Sequence, residues 1–342
     1  MKLSHRTLAV TAVGAALALS LMSAPQARAE VLALAADKPG TTFNAMASGF
    51  AKVVDETGAA NLLVRPYAGP AAWAPLLDKG EVKLGAISAI STWQAFNGKG
   101  EMKTPLKNIR ILRSGEGSLM LGFIAPAKSD IKTVKDLRGK RVSSNFGGHI
   151  GIQTSIEGEL AVGGLTWKDV TPVPVVGAND GIDALVAGRL DATWASLGQP
   201  QAREADVKIG IRYLPIPNTA DSLTVLRQKV FPAAQIVVAK KGTVPGLEDD
   251  TPMLSYDAYL VANKDLSDAT VTKILTALWD KTDELVKVQR SLSGFTHKSA
   301  VTDAPVAPYH PAAVAFYKAK GVWDAKAEAR QEELLKKTTA SN

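Results

Sequence analysis

The sequence predicts an α/β protein built from two similar lobes, and three observations lead to that prediction. Short apolar runs alternate with helix-like segments along most of the chain, which is typical of sheets covered by helices on both faces. The stretch 31–88 resembles the stretch 139–196 at a constant offset of 108 residues. Beyond residue 29, no apolar run approaches the roughly 20 residues that a membrane-spanning helix needs. We therefore expect two βαβαβ units that face each other across a cleft.

Five residue pairs carry this internal repeat without a gap. They are Gly40 with Gly148, Gly69 with Gly177, Leu77 with Leu185, Gly80 with Gly188, and Ser88 with Ser196. The identities are few, so the repeat rests on their constant register. Because ligands bind at the carboxyl ends of parallel strands, both units would present glycine turns and a terminal serine to one shared cleft.

Composition and charge suit a secreted protein of two domains. Residues 1–29 combine a basic start, an apolar run and the sequence Ala27-Arg28-Ala29, the features of a cleaved secretory signal peptide. Cleavage would leave 313 residues and lower the net charge from +7 to +4, which does not favour nucleic acid binding. The chain has no cysteine, so no disulfide is expected. We expect a periplasmic protein that does not itself span the membrane, with a monomer as the default.

The elements follow the repeat. Strands are predicted at 31–36, 61–67 and 82–88 in the first unit and at 141–145, 171–176 and 190–195 in the second, with helices between them. Further strands are predicted at 119–124 and 254–262, and an amphipathic helix at 266–288. The segment 197–250 is predicted to be irregular because of its prolines. The predicted lobes are 30–120 with 251–342, and 121–250.

Three turns form a candidate binding site at the carboxyl ends of the predicted strands, namely 39–43, 68–73 and 145–151. Each precedes a predicted helix, whose free N–H groups and dipole attract anions. The alternative is that the glycines only make tight connections, since no turn matches the full dinucleotide-binding fingerprint. The candidate ligand-binding residues are Thr41, Thr42, Phe43, Tyr67, Gly69, Trp73, Ser88, Asn145, Gly148, His149 and Ser196.

Several of these residues have a structural alternative. Thr41 and Thr42 could be helix N-caps, and Phe43 and Trp73 could lie in the core, where most aromatic side chains are found. The cations closest to the predicted strand ends are Arg65 and Arg113. Either could pair with a ligand carboxylate, but a surface salt bridge is the commoner fate of such residues.

The sequence gives little support for catalysis. Beyond the predicted signal peptide its histidines are His149, His297 and His310, and no H-E-x-x-H, G-x-S-x-G or phosphate-binding loop occurs. We therefore predict no cofactor, no metal and no catalytic residue. An enzyme is the least favoured function.

Four stretches resemble the TAXI-type solute receptors of TRAP transporters. They are Gly40-Thr41-Thr42-Phe43, residues 64–98, DLRGKRVSSNFGG at 136–148, and HPAAVAFYKAKGVW at 310–323. The resemblance implies a type II periplasmic-binding-protein fold, with two α/β lobes, mostly parallel sheets and two crossover hinge segments. It also implies that the lobes close on a small organic acid and deliver it to a TRAP permease. A binding protein of an ABC importer, or a sensor with this fold, is the alternative.

The binding turns of that family are present in this chain, but several of their polar residues are replaced. In the turn that begins at Tyr67, Pro70 replaces an expected serine and Trp73 an expected asparagine. The turn at Gly148 keeps its leading glycine and loses its hydroxyl groups. Because unpaired polar groups discriminate strongly between ligands, we expect an apolar or aromatic carboxylate, or another ligand entirely, rather than glutamate.

Overall fold

Strands and helices alternate along the chain in the computed structural model, which describes residues 31–100 and 102–339. The strands are β1 Val31–Asp37, β2 Asn61–Tyr67, β3 Leu84–Ser88, β4 Ile109–Pro126, β5 Arg141–Ser144, β6 Thr171–Pro174, β7 Thr193–Ser196, β8 Ile211–Tyr213, β9 Gln235–Ala239 and β10 Thr251–Asn263. The α-helices are α1 Thr42–Glu56, α2 Pro70–Asp78, α3 Ala89–Asn97, α4 Ile150–Val162, α5 Ala178–Val186, α6 Pro200–Ile209, α7 Ala220–Lys229, α8 Asp268–Asp280, α9 Thr282–Val288, α10 Pro311–Ala319 and α11 Ala325–Thr339. The signal peptide predicted at 1–29 lies outside the described residues.

Eight strands form one mixed sheet, in the order β2-β1-β3-β10-β4-β7, with β9 added to β10 and β8 to β4. Strand β1 runs parallel to β2 and β3, whereas β10 is antiparallel to β3, β4 and β9. A second, smaller sheet pairs β5 with β6 in parallel. This layered arrangement of strands and helices confirms the predicted α/β class.

The two long strands β4 and β10 connect the two halves of the molecule. Residues 258–262 of β10 pair with β3, and residues 251–255 pair with β9. Residues 121–124 of β4 pair with β7. We call β1 to α3 together with α8 to α11 the first half, and the elements from β5 to β9 the second half. The boundaries predicted from the sequence fall inside β4 and at the start of β10.

The predicted repeat is present in the fold. Leu34 of β1 pairs in parallel with Leu84, and Val142 of β5 pairs in parallel with Ala192, so both partners are shifted by the offset of 108 residues. Each half therefore contains the same βαβαβ unit, followed by one antiparallel pairing with a long strand.

Helix α1 shows how the sequence pattern builds the core. Its apolar residues recur every three or four positions, so Met46, Phe50 and Val53 lie on one buried face. Phe50 meets Phe295 edge to face, with 4.9 Å between the ring centroids. Burying each of these side chains contributes roughly 1.5–3 kcal/mol to folding.

Two element predictions differ from the structure. The single helix predicted at 266–288 is two helices, because the hydroxyl of Thr282 bonds back to the carbonyl groups of Leu278 and Trp279 at the break. The segment 197–250 is regular, with α6, α7, β8 and β9. Its first proline, Pro200, occupies the first turn of α6, where a missing N–H has no cost.

Candidate ligand-binding site

A pocket of about 570 Å³, part of it open to solvent, lies between the two halves at the carboxyl ends of β1, β3 and β7. The N-terminal turns of α1, α2, α4 and α5 contribute to its walls. Leu119 and Leu121 of β4 and Tyr256 of β10 contribute from the two long strands. The position agrees with the rule that ligands bind at the carboxyl ends of parallel strands.

The two halves contribute equivalent positions to the wall. Five pairs related by the offset of 108 residues line the pocket on both sides, namely Thr41 with His149, Phe43 with Gly151, Pro70 with Ala178, Ser88 with Ser196, and Ser91 with Gln199. The backbone of the pocket is therefore approximately symmetric, whereas the side chains that the two halves contribute differ in chemistry. A ligand would meet a different set of groups on each side.

Six of the residues predicted from the sequence line this pocket. They are Thr41, Thr42, Phe43, Ser88, His149 and Ser196. Thr41 is a helix cap, as the sequence alternative stated, and so is Ser88, whereas Thr42 is the first residue of α1 and not its cap. Thr41 accepts a hydrogen bond from the N–H of Asn44 (3.3 Å), and Ser88 accepts one from the N–H of Ser91 (3.1 Å). These hydroxyl groups are thus held in place by the helix starts that they cap.

Hydrogen bonds join the two halves beside the pocket. The hydroxyl groups of Thr42 and Ser196 bond to each other directly. The side-chain amide of Asn179 donates to the carbonyl of Pro39 (2.9 Å), and the N–H of Gln201 donates to the carbonyl of Gly40 (3.3 Å). The turns that start α1, α5 and α6 therefore meet across the cleft.

The second and third predicted turns also touch each other. The N–H of Ala71 donates to the carbonyl of Gly148 (3.3 Å). Gly69 has φ +151°, and a β-carbon there would lie 2.6 Å from the carbonyl oxygen of Gly148. Only glycine allows this approach. Gly69 and Gly148 therefore form a contact between the halves rather than the pocket wall.

Asp37, the last residue of β1, is a buried acid in the pocket wall. Its side chain is 3% exposed, and its Oδ1 has no hydrogen-bond partner among the described residues. The Nδ1 atom of His149 lies 3.8 Å from Oδ2 of Asp37, beyond hydrogen-bond distance. Burial raises the pKa of Asp37, and the charge of His149 opposes that effect.

A second buried acid lies behind the wall. Trp194 lines the pocket, and its Nε1 donates a hydrogen bond of 3.0 Å to Oε1 of Glu159. Burial raises the pKa of Glu159 to about 8, so this carboxyl group is largely protonated at neutral pH. Glu159 therefore fixes the orientation of the indole ring without placing a full negative charge there.

Five predicted site residues do not line the pocket, and Trp73 is the clearest correction. Its side chain is fully buried and packs over Gly85, where a β-carbon would lie 2.4 Å from the ring. At the equivalent positions of the second half, Gly181 packs against Thr193. Large and small residues have exchanged places between the halves, so Trp73 fills the core and cannot contact a ligand.

The other four of these residues lie in the turns around the pocket. Tyr67 ends β2 beside Asp37 and is half-buried. Asn145 is exposed, with a positive φ of 50°, and its N–H donates to the side chain of Gln153 (2.9 Å). Gly69 and Gly148 make the contact described above.

Several residues that line the pocket were not predicted from the sequence. Asp37 falls between the strand predicted at 31–36 and the turn predicted at 39–43, and its position directly after a predicted buried strand could have indicated it. Ser91 and Gln199 are one repeat apart, so the offset itself could have found them. Leu121 and Tyr256 come from β4 and β10, and no local pattern indicates that these strands pass under the cleft.

Two negative findings concern only residues 31–100 and 102–339. No group of three or more His, Asp or Glu side chains in this part of the chain is arranged to hold a metal ion. None of its helices is long and apolar enough to cross a membrane.

Comparison with solved structures identifies the class of fold. A periplasmic transporter is 16% identical over 91% of this chain and 99% of that chain, with a TM-score of 0.56. The periplasmic aliphatic sulphonate binding protein SsuA from Escherichia coli is 15% identical over 90% and 86%, with a TM-score of 0.45. The substrate binding protein of an amino acid ABC transporter is 12% identical over 75% and 97%, with a TM-score of 0.44. The chain shares the fold of the periplasmic transporter, in agreement with the fold class predicted from the sequence.

The family follows from the sequence itself. The model of the NMT1-like family matches residues 34–321, which include both halves and the pocket between them. This chain belongs to the NMT1-like family.

Proposed function

We propose that this chain is a periplasmic receptor that captures a small solute between its two halves and delivers it to a membrane importer. The observation that supports this function most directly is the contact of the two halves around the pocket, above all the bond between Thr42 and Ser196. A solute that touches both halves stabilises the arrangement in which they meet. The family membership and the fold are consistent with that role.

The proposed location follows from the predicted signal peptide at 1–29. Residues from Glu30 onward would form the mature receptor, and the predicted division into 30–120 with 251–342 and 121–250 would give its two lobes. In this proposal β4 and β10 are the two hinge segments, because they are the strands that pass between the halves.

Two kinds of membrane partner are compatible with such a receptor. The sequence resemblance favours a TRAP permease, which is driven by an ion gradient. The comparisons favour the alternative, an ABC-type importer driven by ATP, and we propose that partner first. Uptake into membrane vesicles of the source cell, with purified receptor added outside, distinguishes the two. ATP-dependent uptake would support the ABC importer, and uptake driven by a sodium or proton gradient alone would support the TRAP system.

Solute binding can be tested on the purified mature chain. Small molecules extracted after denaturation are identified by mass spectrometry and then added back in a thermal-shift assay. At a concentration of 100 times Kd, a ligand adds about 2.7 kcal/mol of stability. We expect a saturable increase in Tm and recovery of the solute unchanged. Chemical conversion of the bound molecule by the purified chain would contradict the receptor function and favour an enzyme.

A further inference from the structure

We infer that the pocket selects a ligand that carries a basic amino group, and that this group binds the carboxylate of Asp37. The inference rests on the proposed function as a solute receptor and assigns its ligand class. It departs from the organic acid predicted from the sequence. The carboxylate, its surroundings and the remaining wall each support it.

Asp37 has no hydrogen-bond partner for Oδ1 among the described residues, and Nδ1 of His149 lies 3.8 Å from Oδ2. The side chain of Asp37 is 3% exposed. The nearby side-chain amide of Asn44 donates to the backbone carbonyl of Asp37 and not to the carboxyl group. Burying an unpaired acid is costly, and burial raises the pKa of Asp37, so a cation from outside the chain would both pair with Oδ1 and stabilise the charged form of the carboxyl group.

Two other aspartates in this fold have a structural role and differ from Asp37 in their hydrogen bonds. Asp55 accepts a hydrogen bond from the N–H of Leu62 (2.7 Å), and Asp78 accepts one from the N–H of Asn108 (2.7 Å). Both carboxylates fix a neighbouring segment of backbone. No comparable bond to Asp37 occurs within residues 31–100 and 102–339.

The charge around Asp37 disfavours an anionic ligand. The titratable side chains that line the pocket in the described part of the chain are Asp37, His149 and Tyr256, and no lysine or arginine is among them. Arg113 is committed elsewhere, because its guanidinium donates to the carbonyl groups of Leu278 and Phe295. A ligand carboxylate beside Asp37 would oppose the ionisation of this buried acid still further, whereas an ammonium group would favour the carboxylate form and pair with it.

The remaining wall fits a carbon skeleton. Apolar side chains contribute most of it, namely Phe43, Ile90, Leu119, Leu121, Ile152 and Trp194. These side chains come from both halves and from β4, so they surround the pocket rather than form one side of it. A small amine with an aliphatic or aromatic body would therefore satisfy both the acid and the apolar surface.

The test compares an amine, an alcohol and a carboxylate on each of two carbon skeletons. The first set is benzylamine, benzyl alcohol and benzoate, and the second is pentylamine, pentanol and pentanoate. Affinities are measured by isothermal titration at neutral pH, supported by thermal shift. We expect the amines to bind at least tenfold more tightly than the matched carboxylates and alcohols.

Variants locate the effect at Asp37. Asp37→Asn keeps the shape of the side chain and removes its charge, so it should lower amine affinity at least tenfold. Its urea midpoint should be close to that of the wild type or higher, because Oδ1 has no hydrogen bond to lose and only the 3.8 Å contact with His149 is weakened. Asp130→Asn is the matched control, since Asp130 is exposed, lies outside the pocket, and carries the same charge. This control should leave every affinity unchanged.

The outcomes separate this inference from the proposed function. Tighter binding of the carboxylates or the alcohols, or unchanged amine affinity in Asp37→Asn, would overturn the amino-group assignment and leave the receptor function intact. If no compound binds, the molecule extracted from the purified chain decides. A basic nitrogen in that molecule supports the assignment, and its absence overturns it. A chain that neither carries nor binds any small molecule would contradict the receptor function itself.

Discussion

Gly69 and Gly148 lie in direct backbone contact across the cleft, one from each half of the molecule. A β-carbon at Gly69 would lie 2.6 Å from the carbonyl oxygen of Gly148 and 3.0 Å from the ring of His149. The two residues are far apart in sequence, so this contact exists only when the halves meet. It makes the closed arrangement sensitive to a single methyl group.

Gly69→Ala should therefore weaken ligand binding more than it weakens folding. The added methyl group clashes in the closed arrangement, so we expect Kd to rise at least tenfold, measured by isothermal titration. Gly58→Ala is the control, because Gly58 also has a positive φ (+68°) but a β-carbon there would have no neighbour within 4 Å. Its φ lies in the left-handed region, which costs an L residue less than the φ of +151° at Gly69, so urea unfolding is measured for both variants to separate backbone strain from the change in Kd. Equal Kd values for the two variants would contradict the closure contact.

The bond between Thr42 and Ser196 predicts a coupling in binding. Thr42→Val and Ser196→Ala each remove one hydroxyl group, and the double variant completes a thermodynamic cycle. We expect a coupling of about 0.5–1.5 kcal/mol in the free energy of ligand binding, the usual net value of a hydrogen bond. The free energy of unfolding of the ligand-free chain should show a smaller coupling. Additive effects of the two changes on Kd would argue against a bond that joins the halves.

Substitution of Trp73 should have the opposite effect to substitution of Gly69, since it should weaken folding and leave ligand binding almost unchanged. Trp73→Ala leaves a large cavity over Gly85, and such truncations typically cost about 3–5 kcal/mol of stability. Urea unfolding should report that loss. The Kd of the folded fraction should stay within about twofold, because the indole ring does not reach the pocket. A large change in Kd with little change in stability would contradict the core position of Trp73 and indicate that its side chain contacts the ligand.

Glu159 predicts a dependence of stability on pH. The folded chain holds this proton up to about pH 8, whereas an ordinary glutamate releases it near pH 4.5. The unfolded state binds fewer protons between these values, so the contribution of Glu159 to stability falls as the pH rises from about 4.5 to 8. Glu159→Gln keeps an acceptor for Trp194 and removes the titration. Its urea midpoint should fall less than that of the wild type over this range. Parallel pH profiles would place the pKa of Glu159 near its ordinary value.

The order of elements could be read from the sequence because it depends on local patterns. Apolar runs of strand length, glycine turns and helix spacing occur twice at one offset, and pairing of Leu34 with Leu84 recurs as Val142 with Ala192. The same regularity predicted that Ser88 and Ser196 would share a pocket. Residues at the ends of repeated strands were therefore accessible to sequence reasoning.

Packing that depends on long-range neighbours could not be read in this way. Trp73 was predicted to line the pocket because it follows a turn, but its side chain is buried because Gly85 leaves room for the indole ring. Tyr256 reaches the pocket only because β10 passes between the halves. The charge of the site also depends on Arg113, which turns away to bind the carbonyl of Leu278.

The most direct test of the receptor function is the distance across the cleft with and without solute. The chain has no cysteine, so labels can be placed uniquely by Lys38→Cys and Asp180→Cys, two exposed positions on opposite halves beside the pocket. Double electron–electron resonance then measures the separation of two spin labels. We predict a broad distribution that includes long distances without solute, and a narrow, short one at saturating solute. An identical distribution in both samples, with binding confirmed by titration, would contradict capture by closure.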